Sequence, residues 1–298
     1  MKPRHTERRV VLDRLAGLLN QIGSANDCQD HGSAEEAAQM RVEAEAGIRE
    51  ILGQHPFVAA LYPMLLAQIE NRGIEGVGWL SFEDAVRREM RDMDRAVESA
   101  TVEKDLLALL RSRKGHFALE SGHHGELWLE VERLGLHMKA LVRWADVLAE
   151  RLRSHRVEAV CGPLVEGAFV GVLVAAVLDV PFTYSIPEKN PDASGLYPVR
   201  YRVPAVLRSD LAGKRVAVVN DLIQAGSAVR GTLEDLKACE AETVVLGTLA
   251  VLGPATSGFP GRWGVPLETL TSITTRVWTP AECPLCAVKR PLNQPASL

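Results

Sequence analysis

Arg215–Val229 reads RVAVVNDLIQAGSAV, and the reading of this stretch decides the fold. Val216–Val219 is a short, β-branched apolar run. Asn220 and Asp221 follow, then Leu222-Ile223 and the small-residue loop Gln224-Ala225-Gly226-Ser227. Val229, Leu233 and Leu236 then recur at helical intervals. This pattern predicts a buried strand, a loop and a helix in immediate succession. Backbone N–H groups and a helix N-terminus at a strand's end form a place for an anion. Asp221 beside it suits a phosphorylated sugar, with the phosphate on the loop and hydroxyls on the acid. From spacing alone, an ordinary strand-to-helix turn fits equally well.

The flanking sequence repeats the alternation. Leu136–Leu152 has helical spacing through Met138, Leu141, Trp144, Leu148 and Leu152. A strand follows at Val157–Cys161, then a Gly/Pro loop at Gly162–Ala168, a helix at Phe169–Leu178 and a strand at Pro181–Ser185. Thr243–Val251 supplies another long apolar strand. Alternating strands and helices imply an α/β fold with a parallel sheet covered on both faces. Ligands bind beyond the carboxyl ends of such strands, where the loops at 162–168 and 224–228 both fall. Ahead of these units, His116–Glu120 and Leu127–Val131 alternate around a turn at Ser121–Glu126, a hairpin with His123 and His124 expected as exposed tip residues.

Residues 1–99 read as a separate helical region, and 100–298 as the α/β domain. Val10, Leu12, Leu15, Leu18, Leu19 and Ile22 lie at helical spacing, and a polar break is expected at Gly23–Gly32. Ala34–Leu52 and Phe57–Ile69 are further helices, the latter ending at Asn71-Arg72-Gly73. Ser81 with Asp84 predicts an N-cap for a helix at Phe82–Val97, and Val102–Leu110 a separate one. Glu83, Asp84, Arg87, Arg88 and Glu89 read as a solvated face with i,i+4 pairs. Packing or oligomerisation is the expected role of this region.

Composition narrows the classes. Of 298 residues, 47% are hydrophobic and 24% charged, and the net charge is -4. That balance argues against a broad nucleic-acid surface. Five cysteines do not make a disulfide framework in a chain this long, which points to a reduced, cytoplasmic setting. The longest apolar run, Ala168–Leu178, is too short to span a bilayer. Cys283-Pro284-Leu285-Cys286 is a single C-x-x-C. Zinc needs four ligands, and a second pair is not evident, although His116 or His137 would be available. A redox motif is the other reading, and structural thiols in a tight turn are the expectation, with no metal ligand assigned.

Four segments resemble the type I phosphoribosyltransferases, and orotate phosphoribosyltransferases in particular. Asn220-Asp221 with its loop looks like the ribose-phosphate signature. GHFALESGHHGELWLE at Gly115–Glu130 is similar to the family's N-terminal hairpin, and GPLVEG at Gly162–Gly167 stands in the place of its pyrophosphate loop. WTPAECPLCAVKRPL at Trp278–Leu292 looks like the tail of some bacterial members. The resemblance covers roughly residues 101–292 and implies transfer of ribose 5-phosphate from phosphoribosyl pyrophosphate to a base, most simply orotate. It implies Mg2+ held mainly by the substrate pyrophosphate, and a homodimer. Gln224, Ala225, Gly226, Ser227 and Ala228 would cradle the 5-phosphate. Asp221 and Asn220 would take the ribose hydroxyls, Glu166 and Gly167 would approach pyrophosphate, and Phe117 would line the base pocket.

The departures change the charge of the site, and those at Glu120, Ser185–Pro187 and Gly253 remove positive charge from an anionic pocket. Asn220 stands where the family carries a second acid, and Gln224-Ala225 replaces a hydroxyl-bearing pair. Glu120 stands in the place of a lysine. Ser185-Ile186-Pro187 replaces an Arg-Lys pair, and Gly253 falls near the place of an arginine that recognises the orotate carboxylate. Lys189, Arg200 or Arg202, in the loop and strand after Ser185, is the candidate substitute cation, and a solvated edge hairpin is the other, slightly favoured reading of this segment. The alternative expectation is a weakened relative that binds phosphoribosyl pyrophosphate or a nucleotide as a regulator.

Overall fold

A computed structural model of the chain describes residues 5–31, 34–62, 65, 77–190, 195–253 and 264–293. Contacts divide the chain into two units, Met1–Val97 and Glu98–Leu298.

In the first unit, α1 (His5–His31) and α2 (Ala34–Gln54) pack along their length, followed by the short α3 (Pro56–Leu61). Leu12, Leu15, Leu19 and Ile22 meet Ile48 and Ile51 in one apolar cluster, to which Val86 and Met90 belong. The break expected at Gly23–Gly32 is absent through His31: one glycine costs only about 1 kcal/mol in a helix, and no proline interrupts the run. Phe82–Val97 and Val102–Leu110, expected as two helices, form a single helix α4, Val77–Leu109. No Gly or Pro lies between them, and the helix begins before Ser81, so the N-cap expected there is overturned. Glu83 and Arg87 pair at 2.6 Å on the exposed face as the spacing predicts. The stop signal at Asn71–Gly73 lies outside the described residues.

The second unit holds two sheets. Strands β1 (Arg113–Ala118), β2 (His124–Trp128) and β9 (Val277–Trp278) make a small antiparallel sheet in the order β1-β2-β9. The hairpin loop is shorter than expected, so His124 lies within a strand. The larger sheet contains β3 (Ala159–Pro163), β4 (Phe182–Lys189), β5 (Val199–Arg202), β6 (Arg215–Ile223), β7 (Glu242–Gly253) and β8 (Leu267–Thr274). Its order is β5-β4-β3-β6-β7-β8. All neighbours are parallel except β4 with β5.

Helices α5 (Met138–Leu152), α6 (Glu166–Leu178) and α7 (Ser227–Ala238) pack on this sheet. Alternation along the strands sorts the core. Val160, Ala217 and Val219 join a cluster with Trp144, Leu148 and Val170, while Ala159, Cys161, Val216 and Val218 face Val229 and Leu236. The chain passes from β3 through α6 to β4 on one side, then returns to β6 on the other side of β3. The order therefore reverses between β3 and β6, which places a crevice for a ligand beyond their carboxyl ends.

Candidate functional site

The crevice is present. A cavity of about 320 Å³ is lined by Leu119, Glu120 and Ser121 after β1, by Pro163–Gly167 between β3 and α6, and by Asn220–Leu222 and Gln224–Ala228 at the end of β6. The three segments singled out in the sequence thus meet in one place. A short helix after β2 adds Val131 and Glu132, and β5 adds Tyr201.

The phosphate-type loop has open donors. Gly226 adopts φ 81°, a left-handed conformation that glycine takes without steric cost, and caps α7 without a side-chain hydrogen bond. The first-turn N–H groups of a helix have no intrahelical acceptor, so they are available to an anion. Two side-chain donors nearby are buried without partners among the described residues: Ser227 Oγ and Gln224 Nε2. A buried polar atom without a partner costs about 1–3 kcal/mol, which a bound oxyanion would relieve.

Asn220 is held differently. Its Nδ2 donates 2.8 Å to the carbonyl of Leu222, and its Oδ1 lies where a Cβ at Gly167 would collide with it. A side chain at residue 167 would therefore force the Asn220 amide to shift. The Leu164–Val165 peptide in the intervening loop is cis.

The cavity is acidic. Four carboxyl groups line it, those of Glu120, Glu132, Glu166 and Asp221, and among the described lining residues there is no lysine or arginine. Burial pushes Asp221 up to about 7, with the charges of Glu166 and Glu132 adding to it and the Leu222 N–H opposing. Burial likewise raises Glu166, and Glu132 adds to that shift. Glu120 accepts from Tyr201 Oη at 3.0 and 3.1 Å, and burial together with that carboxylate raises the phenol.

Other expected residues lie elsewhere. Phe117 is 2% exposed and packs its ring 5.7 Å from Trp128 instead of lining the cavity. The resemblance that suggested a pocket residue does not hold in this placement, where the ring packs within the hairpin. Lys189 pairs with Val199 at the end of β4, outside the cavity lining. Arg202 lies outside the lining of the crevice. It donates 2.7 Å to Asp235, a buried carboxylate that Arg208 also meets, at 2.6 Å. Arg200 and Arg202 border a neighbouring cavity that shares Tyr201 and Ser227 with the first. Glu132 and Tyr201 join the site without a sequence signal: Glu132 reads as a solvated charge, and Tyr201 as the buried half of an alternating strand.

A second convergence involves the tail thiols. His116, His124, Cys283 and Cys286 bring their ligand atoms within 4.8 Å of one another. The sequence showed a lone C-x-x-C, and its second pair is two histidines on adjacent strands of the hairpin. His124, expected exposed, is 9% exposed.

Residues 130–265 match the family model described as "Phosphoribosyl transferase domain". The chain is 30% identical over 187 residues to the orotate phosphoribosyltransferase of Thermotoga maritima, covering 62% of this chain and 91% of that protein. It is 27% identical over 184 residues to that of Caldanaerobacter subterraneus subsp. tengcongensis, covering 62% and 90%. A crystal structure of orotate phosphoribosyltransferase from Aeropyrum pernix matches with a TM-score of 0.44 and 23% identity, over 58% of this chain and 93% of that one. On this likeness in sequence, the chain belongs to the type I phosphoribosyltransferase family.

Proposed function

We propose that the chain transfers ribose 5-phosphate from phosphoribosyl pyrophosphate to a nitrogenous base, and that the base is orotate. The carrying observation is the single cavity in which the Gln224–Ala228 loop, Asp221 and the Pro163–Gly167 loop meet. That these relatives are orotate phosphoribosyltransferases supports orotate.

The parts suit the chemistry. The loop holds the 5-phosphate through N–H groups and the Ser227 hydroxyl. Asp221 accepts from the ribose hydroxyls and fixes the sugar's orientation. Glu166 and Gly167 stand where the pyrophosphate departs. Positioning of this kind is a large part of catalysis when charge develops on the reacting carbon.

The carboxylate-rich lining fits Mg2+, a hard ion that takes few protein oxygens and keeps water and substrate phosphates. Asp221 and Glu166 would hold it or its waters, and it would supply the positive charge that pyrophosphate requires. An orotate carboxylate faces the same acidic lining, so the metal-bound substrate sets the charge balance for the base as well.

A second reading is favoured by Asn220, which is pinned to the Leu222 carbonyl in an acid's place. In that reading the chain binds phosphoribosyl pyrophosphate or a nucleotide and regulates rather than transfers. Orotate consumption in the presence of phosphoribosyl pyrophosphate and Mg2+, beside calorimetric titration of the sugar phosphate, decides the matter. Turnover supports transfer, saturable binding without turnover supports the regulator, and the absence of both turnover and binding sinks both readings.

A further inference from the structure

We propose that His116, His124, Cys283 and Cys286 bind a structural metal ion of the zinc class, which pins the C-terminal tail to the hairpin above the phosphate cavity. Three of the four side chains are buried, Cys283 at 2% and His116 at 1% exposed.

The spacing is that of a coordination shell. His116 Nε2 lies 3.0 Å from His124 Nδ1, 3.4 Å from Cys283 Sγ and 3.6 Å from Cys286 Sγ. Cys286 Sγ lies 3.2 Å from His124 Nδ1. Tetrahedral zinc with ordinary Zn–S and Zn–N bonds separates its ligand atoms by roughly 3.3–3.8 Å, so small adjustments admit the ion. Two thiolates and two imidazoles are a zinc donor set, and four protein ligands leave no open position for chemistry. That makes the site structural.

The outer contacts agree. His116 Nδ1 lies 2.9 Å from the carbonyl of Arg290. An N–H donated there fixes the tautomer that leaves Nε2 as a lone pair facing the cluster. Hydrogen bonding alone explains the cluster poorly, because thiols are weak donors and weak acceptors.

The ligands come from two distant parts of the sequence. Cys283 precedes the single-turn α8 (Pro284–Ala287) and Cys286 lies within it, and the histidines sit on β1 and β2. Existing bonds already hold the two parts in register. Asn293 Oδ1 accepts from the His116 N–H at 2.8 Å, and Trp278 on β9 pairs with His124. The segment leaving β1 carries Leu119, Glu120 and Ser121 into the cavity wall. An ion here therefore fixes one wall of the substrate cavity without touching substrate.

The test uses untagged, reduced full-length protein. Elemental analysis after dialysis should find one zinc per chain. Cobalt substitution should give the visible bands of a tetrahedral ion and a thiolate-to-cobalt charge-transfer band. Cys283→Ser and Cys286→Ser should each weaken cobalt binding by at least about 100-fold and lose the charge-transfer intensity. Cys239→Ser, outside the cluster, should keep both. The wild-type spectrum does not depend on how any variant folds. Wild-type protein without zinc and without a tetrahedral cobalt spectrum overturns the proposal, as does a folded Cys283→Ser protein with the wild-type spectrum. These readouts are independent of transferase activity, so a failure here leaves the reading of the substrate cavity untouched.

Discussion

Asn220 Oδ1 occupies the space that a side chain at residue 167 would need, so the Asn220 amide packs directly on Gly167 in the first turn of α6. The same amide donates to the Leu222 carbonyl through Nδ2. The residue at the family's second acidic position is thus both neutral and tied to the backbone. An aspartate there would set a carboxylate against the Leu222 carbonyl and beside Asp221 and Glu166. Asn220→Asp is expected to lower the melting temperature of the ligand-free protein. It should also raise affinity for the Mg2+ complex of phosphoribosyl pyrophosphate by about tenfold, because a charged acceptor contributes more than a neutral one. Thermal melts beside titration calorimetry check both signs. Equal affinity in the variant and the parent would mean that Asn220 does not face the ribose.

Ser227 gives the converse case. Its Oγ is buried without a partner among the described residues, so it adds nothing by hydrogen bonding to the empty protein. Ser227→Ala should leave the ligand-free melting temperature unchanged or slightly higher. Affinity for ribose 5-phosphate should fall about tenfold, the loss expected for one hydrogen bond to a charged group. A large drop in stability with unchanged affinity would show that the hydroxyl serves the fold and not the phosphate.

The parts of this molecule that were legible in sequence are those encoded by short-range pattern. Val216–Val219 followed by Gln224–Ser227 announces a strand, a loop and a helix, because period and small residues are local properties. The sheet's two buried faces follow from the same alternation. Long-range convergence was not legible. His116 and Cys283 meet only because β9 pairs with β2 and carries the tail back to the hairpin, and no spacing encodes that. Asp235 reads as an ordinary helix-surface acid, yet it is the buried partner of Arg202 and Arg208. Arg202 therefore looked available for substrate when it was already committed. The strand Leu267–Thr274 passed unnoticed because its Thr-rich alternation is weakly apolar, while its pairing with β7 lends it order.

Asp235 also carries a stability prediction. Its carboxylate is buried and accepts from the Val203 N–H at 2.8 Å as well as from both arginines. Burial alone would raise the carboxyl, but the Val203 N–H and the two guanidinium groups outweigh it and hold the group below its ordinary value. A carboxyl depressed by folding stabilises above its unfolded pKa, and the benefit is lost as pH falls through the folded value. Asp235→Asn should cost about 2 kcal/mol near neutrality, since it leaves two arginines without their shared acceptor. The difference from the parent should shrink below about pH 4. Denaturant titrations at neutral and acid pH measure it, and a constant difference across the range would contradict the account.

Asp221 has the opposite sign. Burial first, then Glu166 and Glu132, raise its carboxyl to about 7. A carboxyl raised by folding favours the folded state fully only below its unfolded value, so the ligand-free protein should lose stability as pH climbs from about 4 to about 7. Asp221→Asn should flatten that limb. Binding of the Mg2+–phosphoribosyl pyrophosphate complex needs the ionised carboxylate, so affinity should rise with pH and level off above about 7. Between pH 8 and pH 6 the ionised fraction falls to about a tenth, which predicts about tenfold weaker binding at the lower pH. The phosphates of the ligand titrate in the same window, so the decisive quantity is the difference between the parent and Asp221→Asn. If both proteins show the same pH dependence of affinity, the ligand alone is responsible, and Asp221 does not meet the metal-bound sugar phosphate.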